Sequence, residues 1–448
     1  MQVIADLHIH SRFAGGCSKD ITLAKLEHYA RIKGVDVLGT GDFLHPEWQK
    51  EIRQVLAEDG TGILRSATGF PFILQTELSF MYSHEGKGRR VHLVVLAKNL
   101  DIVSQITDQM LKHGRIDYDG RPIFGISCSQ FVEEMMQIDK DIEIIPAHIW
   151  TPWFSLFGSK SGFDRIQDCF QDQTNHIHAL ETGLSSDPPM NWRLSQLDGF
   201  NLVSFSDLHS YWPWRLGREA TLFDVKKENG NNAAITYKSI INALRTGDGL
   251  SGTIEVDPNY GKYHLDGHRV CKVCCTPAQS KQYKNICPAC RKPMTIGVQN
   301  RVDELADREL GFRKKTAKPF HSLLPLSDLI SAVIKKAVAS KVVWQEYNKL
   351  VQHFTSEYKV LLHASREELE SVTTPAIADI ILKNREGSLQ ITPGYDGEYG
   401  RIVMDKGGLG AGQEQQEHNK EDPNVNNVKQ LPQKKHAQRG LEEWTAKK

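Results

Sequence analysis

The sequence predicts an α/β fold: a β/α barrel, then a small cysteine-rich ribbon, then a helical segment. Three observations carry that expectation. Between residues 2 and 207, seven short apolar runs alternate with amphipathic helical patterns. Nearly every run ends on a histidine or a carboxylate. Farther on, four cysteines stand as two Cys-x-x-Cys pairs.

The first run, QVIADLH, continues into IHS. Alternate side chains of a strand share a face, so Asp6, His8 and His10 lie on one side and Leu7 and Ile9 on the other. The pattern TLAKLEHYARIK suits a helix and returns the chain to the second run, VDVLGT. GTGDFLH then offers Asp42 and His45 before the helix PEWQKEIRQVLA. The third run, FPFILQTEL, ends near Glu77. Residues 79–90 read as a hairpin loop that brings His92 of RVHLVVLA back beside Glu77. The helical patterns DIVSQITDQMLKH and SQFVEEMMQ lead to IEIIPAH and His148. GFDRIQDCF precedes IHALETG, which ends on Glu181. NWRLSQL precedes NLVSFSD, where Asp207 and His209 echo the opening motif as SDLH.

Strands that alternate with helices argue for a largely parallel sheet, and seven of them fit a barrel. Barrel sites are built from the C-terminal strand ends. His8, His10, Asp42, Glu77, His92, His148, Glu181, Asp207 and His209 are therefore expected on one rim. Imidazoles mixed with carboxylates suit zinc, manganese or ferrous iron better than magnesium alone. Clustered divalent ions on such a rim would neutralise anionic charge and lower the pKa of a bound water.

Composition sets the outer limits. The chain has 448 residues, 40% hydrophobic and 25% charged, which suits a globular protein of two or three domains. No apolar run nears the ~18 residues of a membrane span, and no basic stretch with an apolar core opens the chain. Five of the eight cysteines crowd into residues 271–290. That clustering predicts a metal site in a reducing cytoplasm rather than a disulfide framework. Cys271-x2-Cys274 and Cys287-x2-Cys290, twelve residues apart, form a four-thiolate zinc pattern, with Cys275 as a competitor for Cys274. A closed thiolate site is structural and supplies folding energy to a segment too small for a core.

The net charge is zero, but residues 261–320 hold 13 Lys and Arg against 5 Asp and Glu. A basic block around a cysteine cluster predicts a polyanionic partner, with Arg313, Lys314 and Lys315 foremost. Helices are expected over about 325–386, and from about 407 the chain is too polar to bury a core. The expected boundaries are 1–255 for the barrel, 256–312 for the ribbon, 313–405 for a helical DNA-binding domain and 406–448 for a disordered tail.

DLHIH, GTGDF, the Glu77–His92 pair, PAH and SDLH resemble the motifs of the polymerase and histidinol phosphatase (PHP) superfamily. That resemblance implies a distorted seven-stranded β/α barrel with a multinuclear metal site that hydrolyses phosphoesters. It would place His8, His10, Glu77 and Asp207 around one metal, and Glu77, His92 and His148 around a second. His209 and the second-strand motif, through Asp42 or His45, would hold a third. Glu181 is open between a structural carboxylate, a ligand and a proton shuttle. With the ribbon and helical region added, the chain to about residue 405 resembles the endonuclease Q family. The stretches GTGDFLHPEW, HIWTPWFSLFGSKSGFD, ETGLSSDPPMNWR, FSDLHSYWPWRLGREA, GKYHLDGHR and TIGVQNRVDELADR carry the likeness.

The family implies a DNA repair endonuclease with two to three divalent metals in the barrel and zinc in the ribbon. It would cut 5′ to deaminated bases (uracil, hypoxanthine, xanthine) and abasic sites. An extruded base wants aromatic walls, for which Trp150, Trp153, Phe154, Trp192 and Trp212 are candidates, with ordinary loop packing as the alternative. Arg193, Arg215 and Arg218 in the same loops are candidates for phosphate contacts. Gln438, Leu441 and Trp444 fall on one side of a short helical turn and resemble a sliding-clamp motif. Two rivals remain at this stage: a PHP phosphatase acting on a small phosphomonoester, and a non-catalytic DNA-binding module.

Overall fold

The computed structural model describes residues 1–225 and 235–404. All seven expected runs become strands: β1 (Gln2–Asp6), β2 (Val37–Gly39), β3 (Pro71–His84), β4 (Lys87–Ala97), β5 (Glu143–Pro146), β6 (Ala179–Glu181) and β7 (Asn201–Val203). β1, β2 and β3 pair in parallel, as do β6 and β7. The backbone bond from Ile149 N to Glu181 O (3.0 Å) joins the β5 end to β6. The ring closes where Ile9 bridges Leu208 and where Asp6 accepts from Ser206 N (3.0 Å) and Gly217 N (2.9 Å).

β3 and β4 depart from the expected parallel sheet. They form an antiparallel hairpin, and β4 also runs antiparallel to β5. Residues 79–84 and 87–90 are strand rather than loop, and the turn is only Glu85–Gly86, both with positive φ (50° and 73°). A two-residue turn can join only antiparallel strands, so distortion of the barrel is written into that dipeptide. The register still delivers the expected neighbour: Ser79 faces His92 and Glu77 faces Val94.

Alternation sorts the wall into two apolar faces. Val3, Ala5, Val37, Ile73, Val94, Leu96, Ile145, Ala179 and Val203 fill one. Leu38, Phe72, Leu74, Leu93, Val95 and Ile144 face outward onto helices α1 (Leu23–Lys33), α2 (Pro46–Val55), α3 (Leu100–Leu111) and α4 (Cys128–Ile138). Thr22, Asn99 and Ser127 cap α1, α3 and α4 by accepting from backbone N–H groups. The helices expected at GFDRIQDCF and NWRLSQL shrink to Ile166–Phe170, Pro188–Trp192 and a 3-10 turn at Ser195–Leu197. Asp187 caps the second of these and Pro188 opens it, upstream of the expected start.

Beyond the barrel, β8 (Ala220–Asp224) pairs antiparallel to β1 and β9 (Leu250–Glu255) to β8. The ribbon hairpin is β10 (Asp266–His268) and β11 (Val273–Cys275). β12 (Phe320–Ser322) lies parallel to β9, which returns the chain from the ribbon to the barrel sheet. Five helices follow between Leu326 and Arg385. They are anchored to the barrel by a buried ion pair: Lys33 Nζ on α1 donates to Glu357 Oε1 (2.7 Å), and Tyr347 and Leu326 N donate to the same carboxylate. A buried charge pair persists only when its remaining hydrogen-bonding capacity is met, as it is here.

Candidate metal centre

β1 ends at Asp6, and the next residues carry His8 and His10 into the mouth of the barrel. Two groups of donors converge there: His8, His10, Glu77 and Asp207, and Glu77, His92 and His148. Glu77 belongs to both. Its Oε1 lies 2.8 Å from His92 Nδ1, 3.1 Å from His148 Nε2 and 3.5 Å from His8 Nε2. Its Oε2 lies 3.2 Å from His10 Nε2, which is 3.1 Å from Asp207 Oδ1. A tetrahedral ion with bonds of ~2.1 Å needs donors about 3.4 Å apart, so this spacing fits two metals bridged by one carboxylate. His8 Nε2 is buried and lacks a hydrogen-bond partner among the described residues, as a ligand atom directed at an ion would be.

Strain accompanies the convergence. Asp42, His148 and Asp207 all have positive φ (36°, 30° and 45°), a conformation that non-glycine residues hold only under outside constraint. A Cβ at Gly183 would come within 2.6 Å of His148 Cβ, so glycine alone admits this packing.

Asp42 and Glu181 stand behind the histidines instead of joining the ligand groups. Asp42 Oδ1 meets His10 Nδ1 (3.0 Å) and Oδ2 accepts from Ser11 N (2.6 Å). Glu181 meets His8 Nδ1 (2.9 and 3.0 Å) and accepts from His148 N (2.6 Å). Each carboxylate engages one ring nitrogen and leaves Nε2 facing the ligand group, the usual outer support of a metal-binding histidine. Asp42, expected as a ligand, thus lies outside both groups, with one oxygen on His10 and the other on Ser11. His209 is also outside both groups. Its Nδ1 is 2.9 Å from Asp207 O, and its ring centroid is 5.1 Å from that of His10. His45 stacks on Phe13 at 4.1 Å.

Electrostatics favour ligation. Burial pushes His92 and His209 down to about 4 against the nearby carboxylates, so both are neutral imidazoles at pH 7. Burial would raise the Asp207 and Glu77 carboxyls, but the surrounding histidines, with Arg121 in the case of Glu77, outweigh it and hold both well below the usual range. Burial opposes the charged forms of His8 and His10 too, but their carboxylate neighbours prevail and raise both. A metal must displace those protons, so loading weakens as pH falls.

A third group of donors is in the ribbon: His268, Cys271, Cys287 and Cys290. Cys274, the expected fourth thiolate, is not among them. In the β10–β11 hairpin, His268 pairs with Val273 and Gly267 with Cys274, so alternation puts His268 on the cluster side and Cys274 on the exposed side. His268 Nδ1 lies 3.5 Å from Cys290 Sγ. The signal was present in the sequence: His268-x2-Cys271 has the same spacing as Cys287-x2-Cys290. Cys275 packs with Cys287 and Met294 without joining the donors.

Arg121 also escaped the sequence reading, since nothing in RIDYDGRPIF marks it. Its guanidinium donates to Glu77 Oε2 at 3.0 Å.

The rim candidates divide. Trp153 is 37% exposed and meets Tyr263 edge-on, and Phe154 (φ 56°) lies against His92 at 4.6 Å. Trp150 and Trp192 are buried, and Trp150 Nε1 donates to Asn191 Oδ1. Trp212 stacks on Trp214 and meets Trp344 of the helical region. The expected phosphate contacts have protein partners instead: Arg193 with Asp303, Arg215 with Tyr399, and Arg218 with Ser206 O. The first two knit the barrel to neighbouring segments. Arg313 and Lys315 are exposed and Lys314 is half-buried. Gln438, Leu441 and Trp444 lie outside the described residues, as does the tail expected to be disordered.

The family model for the MJ0043 C-terminal domain matches residues 325–388. Protein MJ0043 of Methanocaldococcus jannaschii is 33% identical over 253 residues, which span 56% of this chain and 31% of that protein. The chain thus spans about a third of that relative. Protein YqxK of Bacillus subtilis is 30% identical over 422 residues, covering 90% of this chain and 99% of its own length. Among solved structures, the lesion-specific endonuclease PfuEndoQ of Pyrococcus furiosus is 31% identical, with a TM-score of 0.80 over 91% of this chain and 96% of its own. The chain belongs to the endonuclease Q family. An endonuclease Q complex with a 27-mer duplex, carrying an abasic lesion at the active site, is 32% identical with a TM-score of 0.81 over 91% and 97% of the two chains. The endonuclease Q likeness therefore spans barrel, ribbon and helices together.

Proposed function

We propose that this chain is a metal-dependent DNA repair endonuclease that hydrolyses the phosphodiester 5′ to deaminated bases and abasic sites. One observation carries the reading: two ligand groups sharing Glu77 lie at the strand ends of a chain that aligns over nine-tenths of its length with an endonuclease Q bound to an abasic duplex. Zinc, manganese or ferrous iron in those groups would neutralise the phosphate and lower the pKa of a water beside it. The protein's part is orientation. Glu181 and Asp42 fix the rings of His8 and His10, and the strained backbone aims Asp207 and His148 inward. Trp153 and Phe154 are the aromatic surfaces best placed to flank an extruded base, since one is exposed and the other touches His92. The His268–Cys271–Cys287–Cys290 set would hold structural zinc.

The deciding experiment compares duplexes containing uracil, hypoxanthine, xanthine or an abasic site with undamaged duplex and with a free phosphomonoester, each with manganese or zinc. Cleavage 5′ to a lesion is expected. Hydrolysis of the phosphomonoester alone would leave a phosphatase.

The basic segment implies a salt dependence. Arg269, Lys272, Lys281, Lys284, Arg291, Lys292, Arg313 and Lys315 are all exposed. Each phosphate neutralised adds about −0.9 to the slope of log affinity against log salt. Replacing Arg313, Lys314 and Lys315 with Ala should flatten that slope by about 2, since Lys314 is already half-buried. Fluorescence anisotropy across a salt series reads it. An unchanged slope would move the contacts onto the ribbon cations.

A further inference from the structure

Two ligand groups gather in the barrel among the described residues, not three. The residues expected around a third ion, Asp42, His45 and His209, stand outside both groups. Asp42 is fully buried, with one oxygen on His10 Nδ1 and the other on Ser11 N. His209 Nδ1 is turned to the Asp207 carbonyl, and the His45 ring lies flat on Phe13. A permanent cation, Arg121, borders the same region.

Its position is built with care. Asp119 Oδ1 accepts from Arg121 N (2.9 Å) and from Gly15 N (3.2 Å), and Gly120 N donates to Phe13 O (3.2 Å). These bonds tie the loop to the segment that follows His10. A Cβ on Gly120 would lie 2.4 Å from Asp42 Oδ2 and 2.8 Å from Ala14 N, so only glycine allows this approach. The loop thereby delivers the Arg121 guanidinium to Glu77, the carboxylate common to both ligand groups. Glu77 is its one side-chain hydrogen-bond partner among the described residues, and the side chain is 21% exposed. A guanidinium carries five N–H donors in a planar fork that matches phosphate oxygens. Most of that capacity is uncommitted.

From this geometry we infer that Arg121 is a catalytic residue: its guanidinium binds a non-bridging oxygen of the scissile phosphate and supplies the charge that a third ion would otherwise bring. The inference rests on the phosphodiesterase reading above. Charge on those oxygens is best stabilised by a donor already in place, which is what the Asp119–Gly120 turn secures.

The test uses the full-length, metal-loaded protein and its Arg121→Ala and Arg121→Lys variants. The wild type and both variants should hold two metals per chain beyond the thiolate-bound zinc, counted by mass spectrometry. Titration with inorganic phosphate should show affinity falling about tenfold in Arg121→Ala, the weight of a charged hydrogen bond, and partly restored in Arg121→Lys. Single-turnover cleavage of a lesion duplex at saturating DNA should fall by on the order of 10²–10³, the usual cost of one lost electrostatic donor. Unchanged phosphate affinity, a third barrel metal in the wild type, or loss of a metal from Arg121→Ala would each overturn the assignment. Loss of a metal would reduce Arg121 to a positioning residue for Glu77. A wild type that binds phosphate through Arg121 but cleaves no lesion duplex would sink the proposed substrate and support the role of Arg121.

Discussion

Replacing Glu77 with Gln abolishes cleavage while the barrel stays folded. The expected loss is on the order of 10⁴-fold or more, about 5.5 kcal/mol at 1.36 kcal/mol per decade. Both oxygens of Glu77 are engaged, Oε1 with His92, His148 and His8, and Oε2 with His10 and Arg121. An amide has one acceptor oxygen, and its NH2 group can only donate. It cannot bridge two ions, and it presents donors to rings that need an acceptor. Metal counting should show the barrel losing at least one ion while the thiolate-held zinc remains. Glu181→Gln is the graded control. It disturbs only the support behind His8 and His148, and outer-shell losses run about 10–100-fold. Asp207→Asn and His8→Ala, which remove ligands of one group, should resemble Glu77→Gln. A Glu77→Gln enzyme that turns over at near wild-type rate with full metal would remove the bridging site from consideration.

His268→Ala should release the ribbon zinc, and Cys274→Ser should not. Structural zinc in small thiolate sites contributes about 10–16 kcal/mol of apparent binding energy at neutral pH, which is folding energy for the segment it closes. The ribbon's own apolar cluster is small, formed by Cys275, Cys287 and Met294 with Cys271, Val273 and Cys290 beside them. Without the ion, residues 266–295 should become protease-sensitive and DNA affinity should drop. Cys274 is on the exposed side of β11, so its thiol is dispensable. Cobalt substitution gives an independent reading, since charge-transfer absorption scales with the number of thiolates and should match three sulfurs in the wild type and in Cys274→Ser. Zinc lost from Cys274→Ser and kept by His268→Ala would reverse the ligand set.

Part of the site was open to reading because it is local. His8 and His10 are one residue apart after a strand, Asp207 and His209 repeat that pattern, and Glu77 precedes a hairpin whose register can be counted. The ends of parallel strands meet on one rim whatever the loops do, which brings His8, His10 and Glu77 together, whereas His92 sits on the antiparallel β4 and follows from the hairpin register. The β/α barrel followed from the same periodicity, apart from the hairpin whose two-residue turn imposes antiparallel pairing.

What the sequence by itself determined is the inventory: seven strands, their polar ends, a basic cysteine-rich insert and a helical close. Each depends on neighbours within a few residues, where alternation, caps and turns act. Tertiary structure decided the roles. Asp42 lies behind His10, its oxygens on His10 and Ser11. His268 faces the ribbon donors and Cys274 does not because strand pairing chose which side each faced. Arg193 and Arg215 became struts because the ribbon and C-terminal segments brought them Asp303 and Tyr399. Arg121 reached Glu77 from 44 residues away through a turn with no periodic signal. In each case the outcome depended on which charge or hydrogen-bonding group arrived from a distant segment, and burial makes an unpaired group too costly to leave waiting.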